Sequence, residues 1–153
     1  MSKPLVRQHA DYHIVASLPG ASDKTQCRII AALGDDRTRY GSAEALQATS
    51  RIVPLTIQSG KQKVVCSRWA CTKFLKQTFH EFAGLSLHHS KWARAYYDQQ
   101  LASGKSPQVA RRAFASKWLR IIFRCRKDRV PYNEDHYLQR LKDSGSPLAK
   151  LIT

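Results

Sequence analysis

The sequence predicts a mainly α-helical protein with one short extended segment around Ser59. Apolar residues recur at three- and four-residue spacings over most of the chain, which is typical of helices. Serines stand directly before several of these stretches, where their side chains can cap a helix. The exception is "RIVPLTIQSG", which is rich in β-branched residues, contains Pro54 and ends at Gly60. At 153 residues, of which 42% are hydrophobic, the chain has the size of one compact domain.

Residues 1–50 are predicted to form a helix-hairpin-helix-like region. In "DYHIVASLPGASDKTQCRIIAALGDD", a short apolar segment leads into a tight turn at Pro19-Gly20 and then into a helix capped by Ser22. One side of that helix carries Cys27, Ile30 and Leu33. Ser42 is predicted to cap a further short helix in "GSAEALQATS".

Residues 51–63 are predicted to be a serine-bearing extended loop, followed by a basic helical region at 64–145. The first helix of that region is expected from Val64 to about Ala83, with one apolar face that consists of Cys71, Leu75, Phe79 and Phe82. Ser90 is predicted to cap the next helix, which stops at Gly104.

Ser106 and Pro107 are expected to begin another long helix, because proline is well suited to the first helical position. Its predicted apolar stripe consists of Ala110, Phe114, Trp118, Ile121 and Cys125. A last amphipathic helix is predicted in "NEDHYLQRLKD". Gly145 and Pro147 are then expected to end the structure, which leaves residues 146–153 as a tail.

The charge balance indicates the kind of partner. The chain has 26 Lys and Arg residues against 11 Asp and Glu, a net charge of +15, which favours nucleic acid. No membrane partner is expected, since no apolar run approaches the roughly 18 residues of a membrane span. The N-terminus "MSKPLVRQHADYH" lacks the apolar stretch of a signal peptide. A cytoplasmic, nucleoid-associated protein is therefore expected.

The four cysteines, at positions 27, 66, 71 and 125, are expected to be reduced thiols. "CSRWAC" suggests a zinc site. On a helix, however, Cys66 and Cys71 would point about 140° apart, which is poor geometry for one metal ion. Buried thiols are therefore favoured over a metal site.

Two groups of residues are candidates for contact with DNA. In "SLPGASDKTQ", the turn and the helix start at Gly20, Ser22 and Lys24 can hold a phosphate, although a hairpin without a ligand explains the pattern equally well. The second group consists of basic residues at helical spacings. On the helix that Arg111 and Arg112 begin, these residues are Lys117, Arg120, Arg124 and Lys127. Around the helix expected from Val64, they are Lys61, Lys63, Arg68, Lys73 and Lys76. Salt-sensitive phosphate binding and a solvated helix face are the two interpretations of such residues.

Ser59 allows two interpretations. No motif near it supplies the base that serine chemistry normally needs, which favours a polar residue in a turn. Nearby lysines, however, can hold a phosphate and stabilise charge that develops on it, so Ser59 is also a candidate to attack a phosphodiester. The eleven acidic residues are scattered, and the sequence shows no two-metal site of its own.

Several motifs in one order resemble the C-terminal half of bacterial insertion-sequence transposases of the IS-one-ten type. These are "SLPGASDKTQCRIIAALGDDRTRYGSAEALQ", "PLTIQSGK", "RWACTKFLKQTFHEFA", "WARAYYDQQLASGKS" and "KWLRIIFRCRKDRVPYNEDHYL". The resemblance spans nearly the whole chain. It implies a DNA-binding domain in which Ser59, the serine of the "QSG" motif, is the nucleophile of strand cleavage and transfer.

The resemblance also implies partners that the residues alone do not. An N-terminal RNase H-like domain with four carboxylates would bind the divalent metal, Mg, so no cofactor is expected in this chain. A guide RNA and full-length transposase, as an oligomer, are implied partners in addition to DNA. The chain is expected to be a truncated form that is inactive alone, and Thr49 and Arg51 replace an aromatic residue and a glycine of the family pattern. The alternative is a non-catalytic nucleic-acid-binding remnant or an interfering fragment.

Overall fold

The structure is a computed structural model that describes residues 7–34, 39–49 and 69–152, without the side chains of 49 and 69–72. These residues form helices and turns with no strand, which confirms the predicted mainly α-helical class. The helices are α1 (Tyr12–Ala16), α2 (Asp23–Leu33), α3 (Ala43–Thr49), α4 (Trp69–Ser86), α5 (Lys91–Ala102), α6 (Pro107–Asp128), α7 (Glu134–Asp143) and α8 (Pro147–Ile152). The predicted extended segment around Ser59 and the predicted helix start at Val64 lie outside the described residues.

Side-chain caps explain where most of these helices begin. The hydroxyl oxygens of four predicted caps each accept a hydrogen bond from the backbone N–H three residues later: Ser22, Ser42, Ser90 and Ser106. Asn133 caps α7 in the same way, at 3.0 Å from the N–H of His136. Each cap satisfies an N–H group that has no partner within its own helix, and Pro107 follows Ser106 at the first position of α6.

Helix α6 is the centre of the core. It packs against α3, α4 and α5 and also contacts α1. The predicted stripe is confirmed at Phe114 and Trp118, and Ile121 is partly buried against the core, but the prediction omitted Ile122, which is fully buried. The reason is that helices cover α6 from several sides. Its buried face is therefore wider than a single stripe.

Aromatic rings fill the space between α4, α5, α6 and the start of α7. The Trp118 ring lies 5.0 Å from that of Phe82, 4.8 Å from that of Trp92 and 5.2 Å from that of Tyr132, between centroids. The indole N–H of Trp118 donates to Ser86 Oγ at 2.9 Å, and that of Trp92 donates to the Tyr132 hydroxyl at 2.7 Å. Both tryptophans are therefore buried without leaving a polar group unsatisfied.

A polar network closes this end of the core. The Tyr132 hydroxyl donates to Glu134 Oε1 at 2.6 Å, and Ser90 Oγ donates to the same oxygen at 2.8 Å. The backbone N–H of Lys91 donates to Glu134 Oε2 at 3.1 Å. Burial and the hydrogen bond to Glu134 raise the Tyr132 pKa, so the phenol remains protonated. Glu134 thus joins the start of α5 to the start of α7.

The C-terminal end differs from the prediction. Gly145 has φ +69° and ends α7, as expected, but the structure does not end there. Pro147 is the first residue of α8. A backbone N–H at this position has no partner within the helix, so the N–H that proline lacks costs no hydrogen bond. Helix α8 buries Leu148 and packs against α5 and α7. The segment predicted to be a tail therefore contributes to the core.

A buried ion pair connects the N-terminal hairpin to the end of α6. Arg126 Nε lies 3.1 Å from Asp11 Oδ2, and the two side chains are only 11% and 7% exposed. The same guanidinium donates to the backbone carbonyl of Gly34 at 2.9 Å. Arg126 thus connects Asp11, just before α1, and Gly34, just after α2, to α6.

Candidate nucleic-acid interface

The turn between α1 and α2 is the predicted phosphate-binding hairpin. Gly20 has φ +82°, a backbone conformation that favours glycine. A Cβ atom at this position would lie 2.8 Å from the Leu85 carbonyl oxygen and 3.0 Å from His89 Cδ2. The absent side chain of Gly20 therefore allows the hairpin to pack against the end of α4.

The start of α2 is exposed at both other predicted residues of the hairpin, Ser22 and Lys24. Ser22 caps the helix, and its hydroxyl lies 3.1 Å from that of Thr25. Asp23 adds a negative charge to the first turn, which opposes phosphate binding there. A contact between this hairpin and a DNA phosphate stays a prediction.

The predicted basic face of α6 is not uniform. Arg120, Arg124 and Lys127 are exposed, whereas Lys117 is half-buried with its Nζ 4.7 Å from the centre of the Tyr96 ring. Burial and the charge of Arg120 lower the Lys117 pKa. The Lys117 ammonium therefore makes a cation–π interaction with the Tyr96 ring of α5.

Two arginines of this face are paired with carboxylates. Arg120 Nη1 lies 3.3 Å from Glu44 Oε1 of α3, and Arg124 Nε lies 3.0 Å from Asp128 Oδ2 one turn further along α6. Both pairs are largely exposed, so each stabilises the fold by less than about 1 kcal/mol. A phosphate can compete for either arginine, but the carboxylates weaken the local positive field.

A second group of basic residues lies where α4 packs against α6. Lys73 and Lys76 were predicted on α4, and the structure shows the first as exposed and the second as half-buried. His80 follows Lys76 by one helical turn. Burial lowers the His80 pKa, and the charges of Lys76, Arg111 and Arg112 lower it further. These charges therefore lie close to the imidazole.

Lys76, His80, Arg111 and Arg112 are called the α4–α6 basic cluster below. Arg111 is exposed and Arg112 half-buried. Two nitrogens of the cluster, His80 Nε2 and Arg112 Nε, are buried and have no hydrogen-bond partner among the residues that the structure describes. The sequence prediction did not place His80 among the DNA-binding candidates, although its spacing of four from Lys76 was a usable signal.

Helical geometry separates this cluster from the predicted face of α6. At about 100° per residue, Arg111 and Arg112 point about 120° and 140° away from Lys117 around the helix axis. They begin the same helix, as the sequence indicated, but they belong to the side that contacts α4. Four other predicted site residues lie outside the described part of the chain: Ser59, Lys61, Lys63 and Arg68.

The remaining candidates for chemistry are the cysteines. Cys125 is buried, and burial raises its pKa to about 11, with a further contribution from Asp128, so the thiol stays protonated at neutral pH. Cys27 is half-buried. Cys66 and the side chain of Cys71 lie outside the residues that the structure describes. Over the described ranges, no three His, Cys, Asp or Glu side chains form a group that could hold a metal ion.

The comparisons with known proteins identify the class. The model of the IS116/IS110/IS902 transposase family matches residues 12–98, from α1 into α5, and this range includes Ser59. The match covers more than half of the chain, so the chain belongs to this transposase family. The family resemblance seen in the sequence motifs is thereby confirmed.

Two relatives extend the match beyond α5. The protein assigned as the transposase for the IS117 mini-circle of Streptomyces coelicolor is 30% identical over 128 residues, which is 84% of this chain and 31% of the relative. An uncharacterised 42 kDa protein of insertion element IS900 from Mycobacterium paratuberculosis is 25% identical over 128 residues, 83% of this chain and 32% of the relative. The matched part of the chain thus spans about a third of the length of these relatives.

No solved structure matches the fold significantly. Among the helices described, none is both long and apolar enough to cross a membrane.

Proposed function

We propose that this chain is the nucleic-acid-binding part of an insertion-sequence transposase and that Ser59 is its nucleophile for DNA strand cleavage and transfer. The observation that carries the proposal is the family match over residues 12–98, which includes the "QSG" motif. The net charge of +15 supports a polyanionic partner. DNA is the proposed substrate.

The proposed reaction is a transesterification. The Ser59 oxygen forms a bond to the phosphorus of a phosphodiester while the bond from that phosphorus to the leaving sugar oxygen breaks. The serine proton is lost, and the leaving oxygen takes up a proton. A serine hydroxyl is a weak nucleophile at neutral pH, so this step needs an activating base or metal ion.

The described acidic residues explain why we propose that the chain is inactive alone. Several of them pair with arginines: Asp11 with Arg126, Glu44 with Arg120, Glu81 with Arg28 and Asp128 with Arg124. Over the residues that the structure describes, no three His, Cys, Asp or Glu side chains form a group that could hold a metal ion. We therefore propose that another region supplies the metal-binding carboxylates, and the relatives are about three times as long as the matched region. Divalent metal in such a region, a guide RNA and assembly with full-length transposase are parts of the proposal.

The test of the serine combines a binding assay with an adduct assay. Purified wild-type chain and Ser59→Ala are incubated with labelled DNA and Mg, with and without the N-terminal region of the IS117 relative as a separate polypeptide. Both proteins should bind DNA with equal affinity, and only the wild type should form an adduct that survives a denaturing gel. Equal adduct yield from Ser59→Ala would exclude Ser59 as the nucleophile.

The second candidate function is nucleic-acid binding without chemistry, as a remnant or an interfering fragment of a transposase. Five of the described carboxylates, those of Asp11, Glu44, Glu81, Asp98 and Asp128, pair with arginines. This pairing favours the second candidate, because a metal ion would have to compete with an arginine for each of them. In that case no adduct forms under any condition, yet the affinity for DNA falls steeply with salt. Binding that does not respond to salt would contradict both candidates.

A further inference from the structure

The α4–α6 basic cluster has an electrostatic arrangement that costs the fold free energy. Burial and the three neighbouring cations all lower the His80 pKa, and no carboxylate opposes them. Like charges held close together repel each other, and burial strengthens the repulsion because it excludes water. Where the chain is described, no acidic side chain pairs with Lys76, Arg111 or Arg112.

The cluster also contains polar atoms whose hydrogen bonds are unmade. Buried N–H groups in folded proteins nearly always have an acceptor, and leaving one without a partner is costly. Arg112 Nε carries a hydrogen and can only donate. Neither it nor His80 Nε2 has a partner within the described ranges. Both features, excess positive charge and unpaired nitrogens, would be relieved by one anion.

We propose that Lys76, His80, Arg111 and Arg112 form a binding site for one phosphodiester group of a nucleic-acid backbone. Arg112 Nε is a donor at the inner side of this site, and His80 Nε2 donates there when it carries a hydrogen. Arg111 is exposed and Lys76 half-exposed, so their long side chains are free to turn toward a phosphate that lies over them. This inference rests on the proposed nucleic-acid-binding function and names a specific contact for it.

The donor set fits a phosphate better than an isolated carboxylate. A phosphodiester offers oxygens in several directions, which suits donors that come from two different helices. A nucleic acid also repeats its charge, so the same strand can engage the exposed basic residues elsewhere on a chain of net charge +15. The backbone of DNA or of RNA supplies this chemistry equally, and the experiment must separate the two.

The experiment measures binding of a labelled DNA duplex and of a matched RNA over a range of NaCl concentrations. The variants are Arg112→Gln and His80→Gln, with Lys142→Gln as the control, because Lys142 is an exposed lysine on α7 outside the cluster. Arg112→Gln should weaken binding about tenfold and reduce the slope of log K against log salt by about 1. The control should change the affinity less than about twofold.

A second readout does not depend on relative affinities. Without nucleic acid the His80 pKa lies below its usual value, and a bound phosphate should raise it because the imidazolium gains an anionic partner. NMR titration of the His80 ring, with and without the oligonucleotide, measures this shift.

The pH dependence of binding is a further test. Because protonation of His80 and binding are linked, the affinity should rise from about pH 8 to about pH 6 in the wild type and less in His80→Gln. The charged groups that face His80 are Lys76, Arg111 and Arg112.

The outcomes separate the two claims. A wild-type chain that binds neither DNA nor RNA overturns the proposed function and the site with it. A wild-type chain that binds, with Arg112→Gln indistinguishable from Lys142→Gln and an unchanged His80 pKa, overturns the site alone. Weakening with only one of the two nucleic acids identifies it as the source of the phosphate. Near-ultraviolet circular dichroism checks folding, and Arg112→Lys, which keeps the charge but not the Nε donor, should bind between the wild type and Arg112→Gln.

Discussion

The two ends of α6 have similar numbers of basic residues but different electrostatic surroundings. Toward its C-terminal end, Arg120, Arg124 and Arg126 each lie within 3.3 Å of a carboxylate oxygen. Toward its N-terminal end, Arg111 and Arg112 lie with Lys76 around His80, and neither arginine pairs with a carboxylate among the residues that the structure describes. Helical spacing therefore shows which basic residues share a face, but nearby carboxylates, two of them from other segments, decide which charges remain available to a ligand.

The arginine–carboxylate pairs of α6 differ in how deeply they are buried. Arg126 and Asp11 are almost fully buried, whereas Arg124 and Asp128 are exposed on one helix. Breaking a buried pair leaves a charge without solvent or partner, whereas an exposed charge is simply hydrated. The first pair should therefore matter for stability, and the second only for the local field.

The largest expected effect is on stability, from Asp11→Ala. Removal of this carboxylate takes away the anion that lies 3.1 Å from the buried Arg126 Nε, and we expect a loss of about 3 kcal/mol in the free energy of unfolding. Asp128→Ala is the matched control, with an expected loss below about 1 kcal/mol. Urea denaturation measures both. Similar losses for the two variants would contradict the division between a structural and a surface arginine.

The next effect is on binding, from removal of the carboxylates that neutralise the α6 face. The double variant Glu44→Gln and Asp128→Asn should bind DNA about threefold more tightly, because Arg120 and Arg124 then interact with phosphates without competition. Asp135→Asn with Asp143→Asn changes the net charge equally at two exposed acids that lie on α7 and not on α6. Anisotropy titrations that show the same gain for both pairs would attribute the effect to net charge alone.

Most of the fold was predictable because its signals are local. Four serine caps and the apolar spacing of Leu75, Phe79 and Phe82 depend on residues within a few positions of each other, and the structure confirms them. Helix α8 was missed because Gly145 and Pro147 are turn signals that also fit a helix end followed by a helix start. Only the packing of α8 against α5 and α7 distinguishes these cases.

The site was less predictable because its key interactions are distant in sequence. Arg120 was correctly placed on an exposed face, but its partner Glu44 comes from another helix. His80 meets Arg111 and Arg112 across the contact of α4 with α6, and no local pattern marks such an encounter. The role of Ser59 was suggested by family resemblance rather than by its chemical neighbours, and it stays a prediction.

The smallest expected effect distinguishes two lysines of the same predicted face. Lys127 is exposed, so Lys127→Gln should weaken DNA binding about twofold and reduce the salt slope by up to about 1. Lys117→Gln should leave the slope nearly unchanged, because the ammonium lies over the Tyr96 ring and is half-buried. Salt-dependent titrations of the two variants side by side measure the difference. An equal decrease in slope would mean that Lys117 leaves the tyrosine to reach a phosphate, so that the α6 face acts as a continuous basic surface after all.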